Sequence, residues 1–340
     1  MRVPNVRPLA LALALATTAS PLLAQEVDTV LMSAEFRGIH AVNDRVLWAS
    51  GSRGVIANSI DGRSWRFDIL PGADSLFLVD VWAKDANKAW VVGTDFRGGY
   101  AAIFHTEDGG RVWTKQWELR HADAFLDGIT CSDAKHCVAL GDPHEGNFLI
   151  LITDDGGESW TRVAPASLPA RLENEAAFAA SGTEITSRGK KVWFVTGGGH
   201  HARVWRSTDR GETWQVSETP LAAGTSAGLF GIAMENDKKG FAAGGDYQLP
   251  SDSAVNLFRT TDGGESWTAA GRTTPIGVRW GLVHAGGKKY VATSPTGTGI
   301  TTNDGRTWTL LEGGNTNTAT CAKKVCWLAG KNRIVRVELR

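Results

Sequence analysis

The chain has 340 residues with 36 basic and 36 acidic side chains. It carries no net attraction for nucleic acid or an acidic membrane surface, and no nucleic-acid partner is expected. Forty glycines and fourteen tryptophans against three methionines suit many short strands joined by tight turns.

The N-terminus reads "MRVPNVRPLALALALATTASPLLAQE". Arg2 and Arg7 precede an apolar run, Leu9 to Ala16, too short to span a bilayer, and small residues follow. This is the pattern of a secretory signal peptide, residues 1–24, cut after Ala24. Residues 25–340 then form one domain in the periplasm or outside the cell. No later segment is apolar enough to be a transmembrane span.

Along the mature chain, one pattern repeats. A strand A candidate comes first: "FRGIHAV", "FLVDVWAKD", "FLDGITC", "TEITS", "FGIAMEN", "RWGLVHA" and "TNTATCA". An apolar strand B follows: "RVLWASG", "AWVVG", "CVALG", "VWFVTG", "GFAAGG", "YVATS" and "VCWLAG". Strand C comes next, for example "AAIFHT" and "FLILIT", and ends in a turn of the type "TTDGGESWT" (260–268). A polar outer strand D closes each unit except the last. The turn tryptophans, Trp65, Trp113, Trp160, Trp214, Trp267 and Trp308, lie 41 to 54 residues apart, the period of a four-stranded propeller blade. Seven A-B-C segments and six outer strands predict an all-β, seven-bladed β-propeller. The spare segment "EVDTVLMSA" (26–34) would complete the last blade and close the ring, leaving no open sheet edge. A closed ring needs no second copy, so a monomer is expected.

Cys131 and Cys137, and Cys321 and Cys326, each bracket an A-B hairpin. Four cysteines allow three pairings; export to an oxidising compartment and the short spacings favour the two local disulfides. Loops this short contribute only about 2 kcal/mol each in the chain-entropy model. Zinc is disfavoured because no histidine pattern accompanies the cysteines.

Within the turns, an aspartate can accept backbone N–H groups that the turn leaves unpaired, and glycine permits a positive φ. Asp108, Asp155, Asp209 and Asp262 hold this position. The first and last turns depart from it: Ile60 and Asn303 stand there, with Asp61 and Asp304 one residue later. These six acids read as structural. Calcium binding is disfavoured, since each turn offers too few carboxylates.

The turns resemble the BNR/Asp-box repeat, S/T-x-D-x-G-x-T/S-W. That resemblance implies that the boxes occupy the C-D face and that ligand sites lie on the opposite one. Over all its units the chain also resembles exported propellers related to the photosystem II stability/assembly factors. The residues that carry this are "FRGIHAV", "FLDGITC", "ALGDPHEGNF", "NEAAFAASGT", "GGGHHARVWRSTDRGETW" and "AGGDYQLP". The resemblance implies a non-catalytic scaffold that holds assembly partners. Some relatives carry oxidoreductase-like or glycosyl-hydrolase-like labels. No G-x-G-x-x-G after a strand, C-x-x-C or haem motif supports redox chemistry here, and no cofactor is expected.

Function would sit on the D-A and B-C loops, opposite the boxes. Candidate ligand- or partner-binding residues there are Arg37, Asp95, Arg97, Asp127, Asp142, His144, Glu145, Glu175, His200, His201, Arg203, Asp246, Tyr247 and Arg279. Arg171 and Glu173 share these loops. The leading reading is a scaffold that binds a protein or a small molecule on this face. The alternative is a glycosidase acting on a glycan, which needs two carboxylates about 5–10 Å apart; Asp142, Glu145, Glu173 and Glu175 are the candidates. A sialidase would need an arginine triad and a tyrosine nucleophile. Arg37, Arg97, Arg203, Arg279 and Tyr247 are available, but "FRG" replaces the usual R-I-P start. No metal site is expected; His144, His200 and His201 with Asp142 and Asp246 are the ligand-type residues at hand.

Overall fold

The computed structural model describes residues 27–339; the expected signal peptide lies outside them. Among the described residues no helix is long and apolar enough to cross a membrane. The described residues form twenty-six strands and one 3-10 turn, Pro165–Ser167. The strands make an all-β propeller of antiparallel sheets.

Five sheets have four strands in simple A-B-C-D order. In the first of them Phe77–Ala83, Ala89–Thr94, Ala101–Thr106 and Thr114–Leu119 lie side by side. Their burial explains their composition. Ala89–Thr94 is buried at every position, so it reads as a continuous apolar run. The outer strand Thr114–Leu119 has no fully buried residue and is correspondingly polar.

The sixth sheet overturns the expected blade count. It holds six strands in the order Thr318–Ala322, Val325–Glu338, Val27–Ala41, Leu47–Gly51, Val55–Ser59 and Arg66–Ile69. The molecule therefore has six hydrogen-bonded sheets rather than seven four-stranded blades. Backbone continuity is the reason. Val27–Ala41 pairs first with the C-terminal strand, Val27 opposite Val337 and Leu31 opposite Arg333. It then pairs with Leu47–Gly51, Ile39 opposite Ala49 and Ala41 opposite Leu47. One uninterrupted strand thus serves the first unit and the last and joins them in one sheet. The N-terminal strand does pair with the C-terminal one, as the spare segment suggested.

Buried tryptophans on the B strands bond the box turn of the next unit, between two sheets for Trp90 and Trp193 and within the six-stranded sheet for Trp327. Trp90 Nε1 donates to the Gly156 carbonyl, Trp193 to Gly263 and Trp327 to Gly62, at 2.8–3.1 Å. Their rings bury large area, and each N–H finds the acceptor that burial demands. Both disulfides form locally, Cys131–Cys137 and Cys321–Cys326, across directly paired positions of adjacent strands.

The box turns form one recurring network. At Asp155, Oδ1 accepts from Thr153 Oγ1 (2.7 Å) and from the N–H groups of Gly157 and Ser159, and Oδ2 accepts from Ser159 Oγ (2.6 Å). Gly157 adopts φ 90°, which a side chain would strain. In the last turn Asn303, not Asp304, takes this acceptor position, bonding Thr301 Oγ1 and the Thr307 N–H. Asp304 instead pairs with Arg259 at 2.9 Å.

Candidate binding site on the loop face

Antiparallel A-B-C-D order places the D-A and B-C connections at one end of every sheet and the box turns at the other. At the loop end, a cavity of about 420 Å³ opens where these connections converge. Six rings face it: Phe96, Phe125, Phe178, Phe230, Tyr247 and Trp280. Phe96 meets Phe125 edge-on at 5.2 Å, and Phe178 stacks on Phe230 at 4.7 Å. Tyr247 stands edge-on to Phe178 at 6.2 Å, and it and Phe96 are the exposed rings of the group, at 42% and 49%.

Three charged residues share the lining: Arg37, Asp127 and Asp142. The Arg37 guanidinium donates to Glu35 Oε1 (3.1 Å) and to the Ala179 carbonyl (2.7 Å). It also lies over Phe77 and Phe96, 4.8 and 5.1 Å from their centroids. Asp142 accepts from the Ala177 N–H at 3.1 Å. Burial pushes its carboxyl up to about 6, against the opposing pull of Arg171. Asp127 is 1% exposed. Burial, then the charges of Asp142 and Glu184, hold its carboxyl well above the usual range. The N–H groups of Ala179 and Asp142 approach it, but neither oxygen has a hydrogen bond of ordinary geometry.

Below the cavity, the A strands line a channel. Asp80 Oδ1 accepts from its neighbour's N–H at Val81, and Oδ2 from Ile129 N–H on the next sheet (2.8 and 2.9 Å). A Cβ at Gly182 would lie 2.2 Å from Asp80 Oδ1, so glycine is required for this approach. Burial raises Asp80 to about 8. Burial and then Asp80 raise Glu184, which is fully buried; its own N–H and that of Gly182 approach it, but neither oxygen has a hydrogen bond of ordinary geometry.

The remaining sequence candidates lie outside this lining. Glu175 is fully buried and ion-paired with Arg203, whose Nε donates to Oε1 at 2.9 Å. Thr196 Oγ1, Trp205 Nε1 and the Leu172 N–H complete its partners. Burial pushes this carboxyl up, and the hydrogen bonds, led by Arg203, pull it below its ordinary value. Arg171 Nη1 donates to the Leu172 carbonyl. Glu145 is exposed and pairs with Arg162 at 2.8 Å; Glu173 is exposed. Asp95 and Arg97 pair with each other at 3.2 Å. Asp246 caps its own turn through the Gln248 N–H. His200 and His201 are exposed, with ring centroids 4.9 Å apart. Arg279 is fully buried, donates to the Gly277 and Gly297 carbonyls, and is lowered to about 10 by burial.

His144 belongs to a separate group. Its Nδ1 and that of His121 both bond Asp123 Oδ1, the His144 contact being 2.6 Å. Among the described residues these three form the one His/Cys/Asp/Glu group with ligand atoms within 4.8 Å; His200 and His201 are not in it. Both imidazoles converge on one oxygen, so their Nδ1 atoms are already engaged.

Sequence reasoning passed over the five phenylalanine and tryptophan rings and the channel acids Asp80 and Glu184. Phe96 sits inside "TDFRGG", between two polar candidates, and Trp280 follows Arg279. Large apolar residues in glycine-rich polar loops were the available signal.

No family model matches the chain. A curated xyloglucanase from a Paenibacillus species is 24% identical over 231 residues, or 62% of this chain. The match spans 20% of that xyloglucanase, so about a fifth of the relative's length is represented. Among solved structures, YCF48 bound to D1 peptide superposes with a TM-score of 0.63 at 14% identity, covering 93% of this chain and 97% of that one. The GH74 xyloglucanase from Xanthomonas campestris gives 0.57 at 13%, covering 88% and 52%. The likeness is one of fold. It extends over nearly the whole of YCF48 and over about half of the xyloglucanase.

Proposed function

We propose that this chain is an exported, non-catalytic binding protein whose loop-face cavity receives a protein partner or a small ligand. The carrying observation is the cavity itself: six aromatic rings with a few convergent polar groups, the usual make-up of a recognition site. Two of the four carboxylates considered for hydrolysis support it by their partners. Glu175 is held by Arg203, and Glu145 by Arg162. YCF48, of similar fold, has been seen with a bound peptide.

One observation keeps a glycosidase as the second reading. Asp142, raised to about 6, shares the cavity with Asp127, and a carboxyl with a raised pKa beside a second one is what glycoside hydrolysis uses. The xyloglucanase likeness points the same way.

The test is affinity capture from the native periplasm with the wild type and with Phe96→Ala/Tyr247→Ala, beside reducing-end release from xyloglucan and sialyllactose. The binding reading expects a defined partner retained by the wild type and lost by the variant, with no sugar release. Release of reducing ends that Asp142→Asn abolishes would replace it with the glycosidase.

A further inference from the structure

We propose that the loop-face cavity is a cation receptor, taking the lysine or arginine side chain of a peptide segment between its aromatic rings and the Asp127–Asp142 pair. This rests on the binding reading above and names the chemistry of its ligand.

Aromatic faces carry negative potential, and rings gathered around one space attract a cation. The protein already uses this contact on its own chain. Arg37 lies over Phe77 and Phe96. Its charge does not satisfy the acids, however, because Glu35 and the Ala179 carbonyl take its donors. Asp127 is a buried side chain in the cavity lining, approached by the Ala179 and Asp142 N–H groups but with no hydrogen bond of ordinary geometry on either oxygen. A buried acceptor of this kind is costly unless a donor arrives. A primary ammonium brings three donors and a guanidinium five, each on an apolar stem that rings can cover.

Anionic ligands fit poorly. The charges of Asp142 and Glu184 both raise Asp127, and that of Asp80 raises Glu184. The countercharge on Asp142 is Arg171, which is not part of the cavity lining and donates to main-chain carbonyls. A neutral glycan could stack on the rings but brings no charge to the acids. A peptide is the source because the rings share the lining with the acids and two of them, Phe96 and Tyr247, are exposed. They offer apolar surface to residues flanking the cationic one. Because burial raises the carboxyls of Asp127 and Asp142, a cation that favours their charged forms should release a proton on binding.

The experiment is calorimetric titration of the mature protein with a five-residue peptide, acetyl-Gly-Gly-Xaa-Gly-Gly-amide. Xaa is lysine, arginine, Nζ-acetyl-lysine or glutamate, and tetramethylammonium is run in parallel. The charged peptides should bind at least about tenfold tighter than the acetylated one. Their affinity should rise from pH 5 to 8, with proton release seen as a buffer-dependent heat. Asp127→Asn keeps the shape of the neutral acid and should lose most of the preference; Tyr247→Ala, at the exposed rim, is the second variant should Asp127→Asn fail to fold. Equal binding of charged and acetylated peptides overturns the proposal. Tighter binding of tetramethylammonium than of either peptide overturns the peptide source. A partner captured by wild type and lost by Phe96→Ala/Tyr247→Ala, with no charge preference, removes the cation while leaving the binding reading intact. Sugar release removes both.

Discussion

The Glu175–Arg203 pair shows how a residue can carry the right chemistry and the wrong surroundings for catalysis. The carboxylate is fully buried and receives Arg203, Thr196, Trp205 and a backbone N–H. Removing one partner of such a pair leaves an uncompensated buried charge. Arg203→Met should therefore destabilise the protein by about 3–5 kcal/mol, and Arg203→Met/Glu175→Leu should recover much of the loss. Urea midpoints for the two variants and the wild type check this; equal destabilisation by both would show that packing rather than charge holds the site. The sequence put Glu175 and Arg203 on one face because both sit in loops that a propeller gathers together. It held no sign that they face each other rather than a ligand, since pairing across 28 residues is a matter of loop path. Asp127 shows the converse. It was legible as a strand-A start, but its lack of an ordinary hydrogen bond is a property of the folded surroundings.

At the scale of elements, the box turn was the most legible part of the chain. Its bonds are local, within four residues, so composition and spacing dictate them. The last turn supplies a built-in control, because Asn303 Oδ1 keeps the acceptor contacts that the aspartate Oδ1 makes elsewhere, while its Nδ2 donates to Thr307 Oγ1 where Asp155 Oδ2 accepts from the equivalent hydroxyl. Asp155→Asn should thus cost little, whereas Asp155→Ala leaves the Ser159 N–H and hydroxyl without their acceptor, the Gly157 N–H keeping Thr153 Oγ1, and should cost about 1–2 kcal/mol, as lost caps do. Thermal midpoints at neutral pH decide between them. Similar losses for both would show that the negative charge, not the acceptor, matters. The rings of the cavity were not legible in this way. Phe178, Phe230 and Trp280 come from three different loop-to-strand junctions, and only the closed arrangement of sheets brings them together.

For the whole molecule, counting strands located every unit but not the number of sheets, because that depends on whether Val27–Ala41 breaks between its two pairings. The same closed arrangement forces acids into the channel, and this gives the fold a pH signature. Asp80 is raised to about 8 and Glu184 is also raised, both chiefly by burial. A carboxyl that holds its proton more tightly when folded stabilises the fold at low pH, and that contribution is lost as pH rises through its folded value. His40, facing the channel from Val27–Ala41 beside Trp82, is lowered to about 4 by burial and acts in the opposite sense, losing stability as pH falls below 6.5. Box carboxylates such as Asp262, which burial raises but hydrogen bonds from Ser266 and Thr260 bring down to about 2, respond only in stronger acid. Between pH 4 and 6.5 the channel acids and His40 therefore offset each other. Above 6.5 the acids act alone, so the midpoint of unfolding should fall from pH 6.5 to 8. Glu184→Gln replaces a fully buried carboxyl with a neutral group of the same shape and lightens the load on Asp80. It should raise the midpoint at pH 8, leave it nearly unchanged at pH 5, and flatten the slope between 6.5 and 8. A midpoint that rises over that interval in the wild type, or an unchanged slope in Glu184→Gln, would mean the channel acids are ionised and solvated rather than held neutral by burial.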